Sequence, residues 1–124
     1  MPHPEFTCSV LVQPIQERTD PAAQTYAYAY TVTIRNTGDV PAQLVGRHWV
    51  ITDQRGRTEE VRGLGVVGKQ PLLQPGEAYE YTSWTELSTP QGSMHGTYFC
   101  FTEEAQPFEA VVPEFMLGTA RDLH

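Results

Sequence analysis

Residues 25–35 alternate without a break. Tyr26, Tyr28, Tyr30, Val32 and Ile34 fall on one side, and Thr25, Ala27, Ala29, Thr31, Thr33 and Arg35 on the other. A period of two is the pleat of a half-buried strand, whereas a helix would scatter the tyrosines around its circumference. A chain with this segment must build a sheet around it.

The rest of the chain supplies strands in the same style. Over residues 6–13, Phe6, Cys8, Val10 and Val12 share a face, after which Pro14 removes a ladder donor and residues 16–21 form a polar loop. Asn36-Thr37-Gly38-Asp39 predicts a turn. A third strand over 42–52 carries Arg47-His48-Trp49-Val50-Ile51, and Asp53-Gln54-Arg55-Gly56 turns it into a short strand at 58–62. Residues 63–74 read as a loop, extended in part. Pro75-Gly76 leads into a strand at 78–84, and residues 87–95 form another loop. Strands at 96–101 and 108–112 follow, the last ended by Pro113. Phe115, Met116 and Leu117 tuck against the domain, and the end of the chain frays. About seven short antiparallel strands with no helical period predict an all-β fold. An immunoglobulin-like β-sandwich fits the pattern, and the spacing alone does not separate it from a barrel.

The 124 residues, of which 40% are hydrophobic, suit one domain spanning 1–124, with no linker or repeat. No apolar run approaches the roughly 20 residues of a membrane span. Met1-Pro2-His3-Pro4-Glu5 lacks the features of a signal peptide, so a cytoplasmic location is expected. The net charge of −7 disfavours nucleic acid as a partner. Five of the eight basic residues lie between Arg47 and Lys69, whereas beyond residue 69 only Arg121 is basic. A local anion site in the basic stretch is therefore conceivable; a mixed solvated surface is the plainer reading. The order Cys8, Trp49, Cys100 is reminiscent of antibody domains. Cys8 nevertheless lies on the first strand, and a cytosolic chain keeps its thiols reduced, so two buried free thiols are expected.

Gly63-x-Gly65-x-x-Gly68 has the spacing of a dinucleotide-binding turn. That motif needs a helix after it, whose N-terminus holds the pyrophosphate, and Pro71 and Pro75 forbid one. Glycines can also aim successive amides into an anion-binding concavity without a helix, with Arg62 and Lys69 flanking it. They can equally serve turns and close strand approach. His3, His48, His95 and His124 show no metal-ligand spacing, so no metal or cofactor is expected. His95 reads as a turn residue. Gly92-Ser93-Met94-His95-Gly96 is not a nucleophile elbow, because the serine is in the second position, and no nucleophile–base pair emerges. An enzyme is not expected.

From Arg47 onward the chain resembles the ApaG family. The matching segments are Arg47-His48-Trp49, the run from Glu60 through Val61-Arg62-Gly63-Leu64-Gly65-Val66-Val67 to Gly68, Gln70-Pro71-Leu72-Leu73 and Pro75-Gly76. They continue through Tyr81-Thr82-Ser83, Leu87-Ser88-Thr89-Pro90, Gly92-Ser93-Met94, Gly96-Thr97-Tyr98 and Val112-Pro113-x-Phe115. The resemblance implies a small bacterial protein with a fibronectin type III-like sandwich and a link to cobalt resistance and magnesium efflux. It also implies protein–protein contacts, the role of similar domains in eukaryotic F-box proteins and a polymerase-delta-interacting protein. Finally it implies nucleotide or pyrophosphate binding at the glycine motif, which on matching positions is Gly63, Gly65 and Gly68.

The expectation is therefore a non-enzymatic interaction module linked to divalent-cation homeostasis. Its partner is an unidentified protein or a second copy of the chain. The alternative is a binder of pyrophosphate or a nucleotide phosphate at Arg62, Gly63, Gly65, Gly68 and Lys69.

Overall fold

The alternating tyrosine segment is the central strand of a three-stranded antiparallel sheet. The structure, a computed structural model, describes residues 2–118; the frayed end expected beyond Leu117 lies almost wholly outside the described residues. Its strands are β1 (Phe6–Pro14), β2 (Tyr26–Asn36), β3 (Ala42–Asp53), β4 (Thr58–Leu64), β5 (Leu72–Leu73), β6 (Ala78–Leu87), β7 (Gly92–Thr102) and β8 (Pro107–Leu117). One sheet runs β1-β2-β6. The other runs β4-β3-β7-β8, with β5 pairing the start of β3. The two sheets stack as a sandwich, which settles the choice against a barrel.

The predicted faces meet between the layers. Tyr28, Tyr30, Val32 and Ile34 are buried, and so are Leu44, Trp49, Ile51, Tyr98 and Val112 of the opposite sheet. Trp49 is the centre of an aromatic cluster. The rings of Tyr30, Tyr98 and Phe115 surround it with centroids 5.7, 5.8 and 6.0 Å away, in edge-on arrangements. Phe6 meets Phe108 edge-on at 5.4 Å, joining β1 to β8 along one side of the sandwich.

Four expectations change. The eighth strand is the two-residue β5, inside the segment read as a loop. The loop at 87–95 shrinks to residues 88–91, because Gly92 and Ser93 pair with Asp53 and Thr52. Gly92 therefore serves close approach, as Gly96 does, and not a turn, and His95 is a strand residue. The last strand does not stop at Pro113. Met94 pairs Phe115 and Gly96 pairs Val112, so Pro113 sits in a bulge on an edge strand, where a missing N–H is tolerated. The polar loop after β1 holds two 3-10 turns, Gln16–Arg18 and Pro21–Ala23.

The β3–β4 hairpin is pinned by Asp53. Its carboxylate accepts from the amides of Arg55 at 2.9 Å and Arg57 at 3.0 Å, from Arg57 Nε at 2.8 Å and from Ser88 Oγ at 3.3 Å. Desolvation pushes the Asp53 pKa upward, but the two amides and the guanidinium outweigh it and hold it below the ordinary value of 3.8. A depressed folded-state pKa contributes stability above the unfolded value, and that contribution disappears as pH falls through the folded value. Asp53→Asn keeps an acceptor for the amides and removes the charge. Tm measured against pH should show the variant below the parent at neutral pH. The gap should close as the pH falls past 3.8. A gap that persists unchanged in acid would assign the effect to shape, not charge.

Candidate functional site

The glycine motif begins inside β4 and ends in a tight turn. Arg62 and Gly63 pair His48 and Arg47, and Leu64 pairs Gly46, so the strand runs two residues further than expected. Val66 N donates to Lys69 O at 2.7 Å and Lys69 N to Val66 O at 3.0 Å. Between them Val67 and Gly68 have φ of 47° and 77°, as a type I′ turn requires. Gly supplies that conformation freely; a β-branched Val does so at a cost of about 1–2 kcal/mol. Gly65 N donates to Val45 O at 2.7 Å, and a Cβ on Gly65 would meet Lys69 O at 2.5 Å. The amides of Gly65, Val66 and Lys69 are thus engaged by carbonyls.

Gly63 has a different duty. Arg47 lies on the same inward-facing register as Trp49 and Ile51, and its guanidinium lies against Gly63. A Cβ there would come within 2.8–2.9 Å of Nη1, Cζ and Nη2. Arg47 Nη1 donates to Leu64 O at 3.1 Å and Gly65 O at 2.9 Å. The motif therefore seats a guanidinium between the sheets. Arg47 was absent from the expected site, although it belongs to the segment that carries the family resemblance.

Arg62 and Lys69 occupy exposed positions. Arg62 Nη2 lies 3.6 Å from Glu60 Oε1, which also meets His48 Nε2 at 2.7 Å. The His48 hydrogen bond and charge hold the Glu60 carboxyl below its usual range. The structure thus brings Arg62 together with Glu60 and His48 on the outer face of the sheet, and Gly63 and Gly65 together with Arg47.

Both cysteines are free thiols. Cys100 is buried as expected, whereas Cys8 is only partly so. Burial raises their pKa to about 11 for Cys8 and about 12 for Cys100, so both stay protonated near neutral pH and are poor nucleophiles. Among the described residues no group of three or more His, Cys, Asp or Glu is arranged to hold a metal ion. No helix among them is long and apolar enough to cross a membrane.

Residues 16–102 match the sequence profile of the ApaG domain. The chain is 56% identical over 120 residues to Protein ApaG of Ralstonia nicotianae, covering 97% of both. It is 54% identical over 120 residues to Protein ApaG of Bordetella pertussis, covering 97% of this chain and 92% of that one. A crystal structure of an ApaA-named protein from Bordetella pertussis superimposes with a TM-score of 0.92 at 53% identity, covering 95% of this chain and 96% of the other. These relatives carry names that state no reaction. The profile spans most of the chain and the relatives span nearly all of it, so this protein belongs to the ApaG family.

Proposed function

We propose that this protein is a non-catalytic module that docks a protein partner on the outer face of its five-stranded sheet. The observation behind this reading is an apolar stripe across that face. Leu72 and Phe101 both pair Gln43, and Leu64 and Phe99 both pair Gly46, so the four side chains share one surface. They are 53%, 42%, 76% and 37% exposed. A monomer in water gains nothing from two phenyl rings and two leucines in one exposed row, whereas such patches mark contact sites. A link to cobalt resistance and magnesium efflux, which the family resemblance carries, then runs through that partner. A second copy of the chain is one form the partner can take.

The phosphate reading has narrower support: Lys69 and Arg62 are exposed beside a turn with positive φ. Three amides of the loop already donate to carbonyls, which leaves few for an anion.

Phe99→Thr combined with Phe101→Thr keeps strand propensity and removes both rings. Affinity capture from the native cytosol and sedimentation velocity should show loss of the partner or of self-association, with an unchanged circular dichroism spectrum. Retention of the same partner by the double variant would refute the docking face.

A further inference from the structure

The two sheets part along the side where β4 and β6 form their edges. The opening holds a cleft of about 220 Å3 lined by Tyr30, Arg47, Val61, Ser83 and Thr85, with Glu59 also at its wall. It lies between the layers, on the opposite side of the sheet from the apolar stripe.

Arg47 is unlike its neighbours there. Arg57 is paired with Asp53, and Arg62 with Glu60. Among the described residues no carboxylate lies within ion-pair distance of Arg47. One of its nitrogens is held by two backbone carbonyls, and Gly63 supports the guanidinium plane. Neutral carbonyl dipoles orient the cation without cancelling its charge. Across the cleft Tyr30 and Ser83 are cross-strand partners whose side chains line the same wall, and the Tyr30 phenol feels the positive charge of Arg47. A half-buried, unpaired, oriented guanidinium beside two hydroxyls is an arrangement that recognises an oxyanion.

Charge and size select among oxyanions. The cleft offers one cation, and Glu59 shares its wall. Pyrophosphate and nucleotides bring several negative charges, which a single arginine beside a carboxylate does not balance. The volume also falls below the roughly 300 Å3 at which pockets for drug-sized ligands begin. A carboxylate brings one negative charge and two oxygens that match the guanidinium fork. We infer that the cleft between β4 and β6 binds a carboxylate, held by Arg47 with Tyr30 and Ser83 as hydroxyl partners. In this reading Gly63 leaves space for an arginine of the site, and the motif contributes its carbonyls, not its amides. The carboxylate comes from a small monoacid or from the end of a polypeptide; the chemistry is shared.

NMR titration separates these cases. Sodium benzoate should shift the Arg47 Nε–Hε and Ser83 amide resonances saturably at millimolar concentration, and pyrophosphate should move them less. Arg47→Gln should weaken benzoate about tenfold or more, as expected for loss of a charge-assisted hydrogen bond. Since Arg47 also holds the β4 turn, Tyr30→Phe provides a variant that keeps the ring packed on Trp49. It should weaken benzoate severalfold. A short peptide with a free C-terminus, compared with its amide, identifies the source. Free acid binding more tightly than benzoate points to a chain end, and the reverse to a small molecule. The inference is overturned if benzoate leaves both resonances unmoved, if pyrophosphate moves them more strongly, if Tyr30→Phe binds benzoate as the parent does, or if the amidated peptide binds as well as the free acid.

Discussion

Gly96→Ala is expected to destabilise the protein by about 3 kcal/mol, at the upper end of the usual cost of overpacking a core. A Cβ at residue 96 would lie 2.5 Å from the His48 carbonyl oxygen and 2.5 Å from Trp49 Cε3. Neither neighbour has room to move. The His48 carbonyl belongs to β3, which is paired on both sides, and Trp49 is surrounded by Tyr30, Tyr98 and Phe115. A domain of this kind has roughly 5–15 kcal/mol in total, so one methyl group removes a sizeable share. Gly56→Ala is the useful contrast. It sits at φ +80° with open space around it, so its cost is conformational and close to about 1 kcal/mol. Urea unfolding followed by tryptophan fluorescence should show a lower midpoint for Gly96→Ala at an unchanged slope, and a smaller fall for Gly56→Ala. Equal midpoints for Gly96→Ala and the parent would mean that the strands slide apart easily, contrary to the packing described.

A neighbouring glycine of β7, Gly92, shows where the sequence is legible and where it is not. The alternation in β1 and β2 is a local property, so the inward face of each strand is legible directly, Phe6 to Val12 in the first and Tyr28 to Ile34 in the second. Gly92 reads as loop punctuation because glycine has two uses, and a sequence does not say which applies. The answer depends on Thr52, some 40 residues away in the chain, whose carbonyl leaves no room for a Cβ at residue 92. Pro113 is ambiguous for a similar reason. Its tolerance depends on lying in a bulge at a sheet edge, and strand order is a property of topology. At the site, the glycine spacing points to Arg62 and Lys69, which flank it in sequence. The cation that the motif holds is Arg47, brought there by pairing of β3 with β4. The exposed phenyl rings were half legible. Aromatics were numerous, but only the phase of β7 separates Phe99 and Phe101 from buried Tyr98 and Cys100.

That phase also buries a pair of phenols, and their coupling should be large. Tyr98 is fully buried, Tyr81 nearly so, and their hydroxyls share a hydrogen bond across the two sheets. Burial, reinforced for Tyr98 by the neighbouring phenol, pushes both far above the ordinary tyrosine range, so each is a neutral hydroxyl near neutral pH. Tyr81→Phe removes one partner and leaves the Tyr98 hydroxyl in the core, out of reach of water. A stranded buried polar group costs about 1–3 kcal/mol, more than a satisfied hydrogen bond contributes on average. Tyr98→Phe strands the Tyr81 hydroxyl, which has slight access to solvent, and should cost less. The double variant strands neither. Its stability should therefore exceed that of Tyr81→Phe alone, and the double-mutant cycle should return a coupling of about 1–2 kcal/mol of the sign that makes the second substitution a rescue. Additive losses would mean that each hydroxyl finds water or another acceptor once its partner is gone. The distinction bears on the cleft, because Tyr81 lies on β6 two residues before Ser83, on the same face. A phenol pair that clamps the sheets together fixes the strand that carries the proposed carboxylate site. Weakening it should loosen benzoate binding in the Tyr81→Phe variant and restore it in part in the double variant.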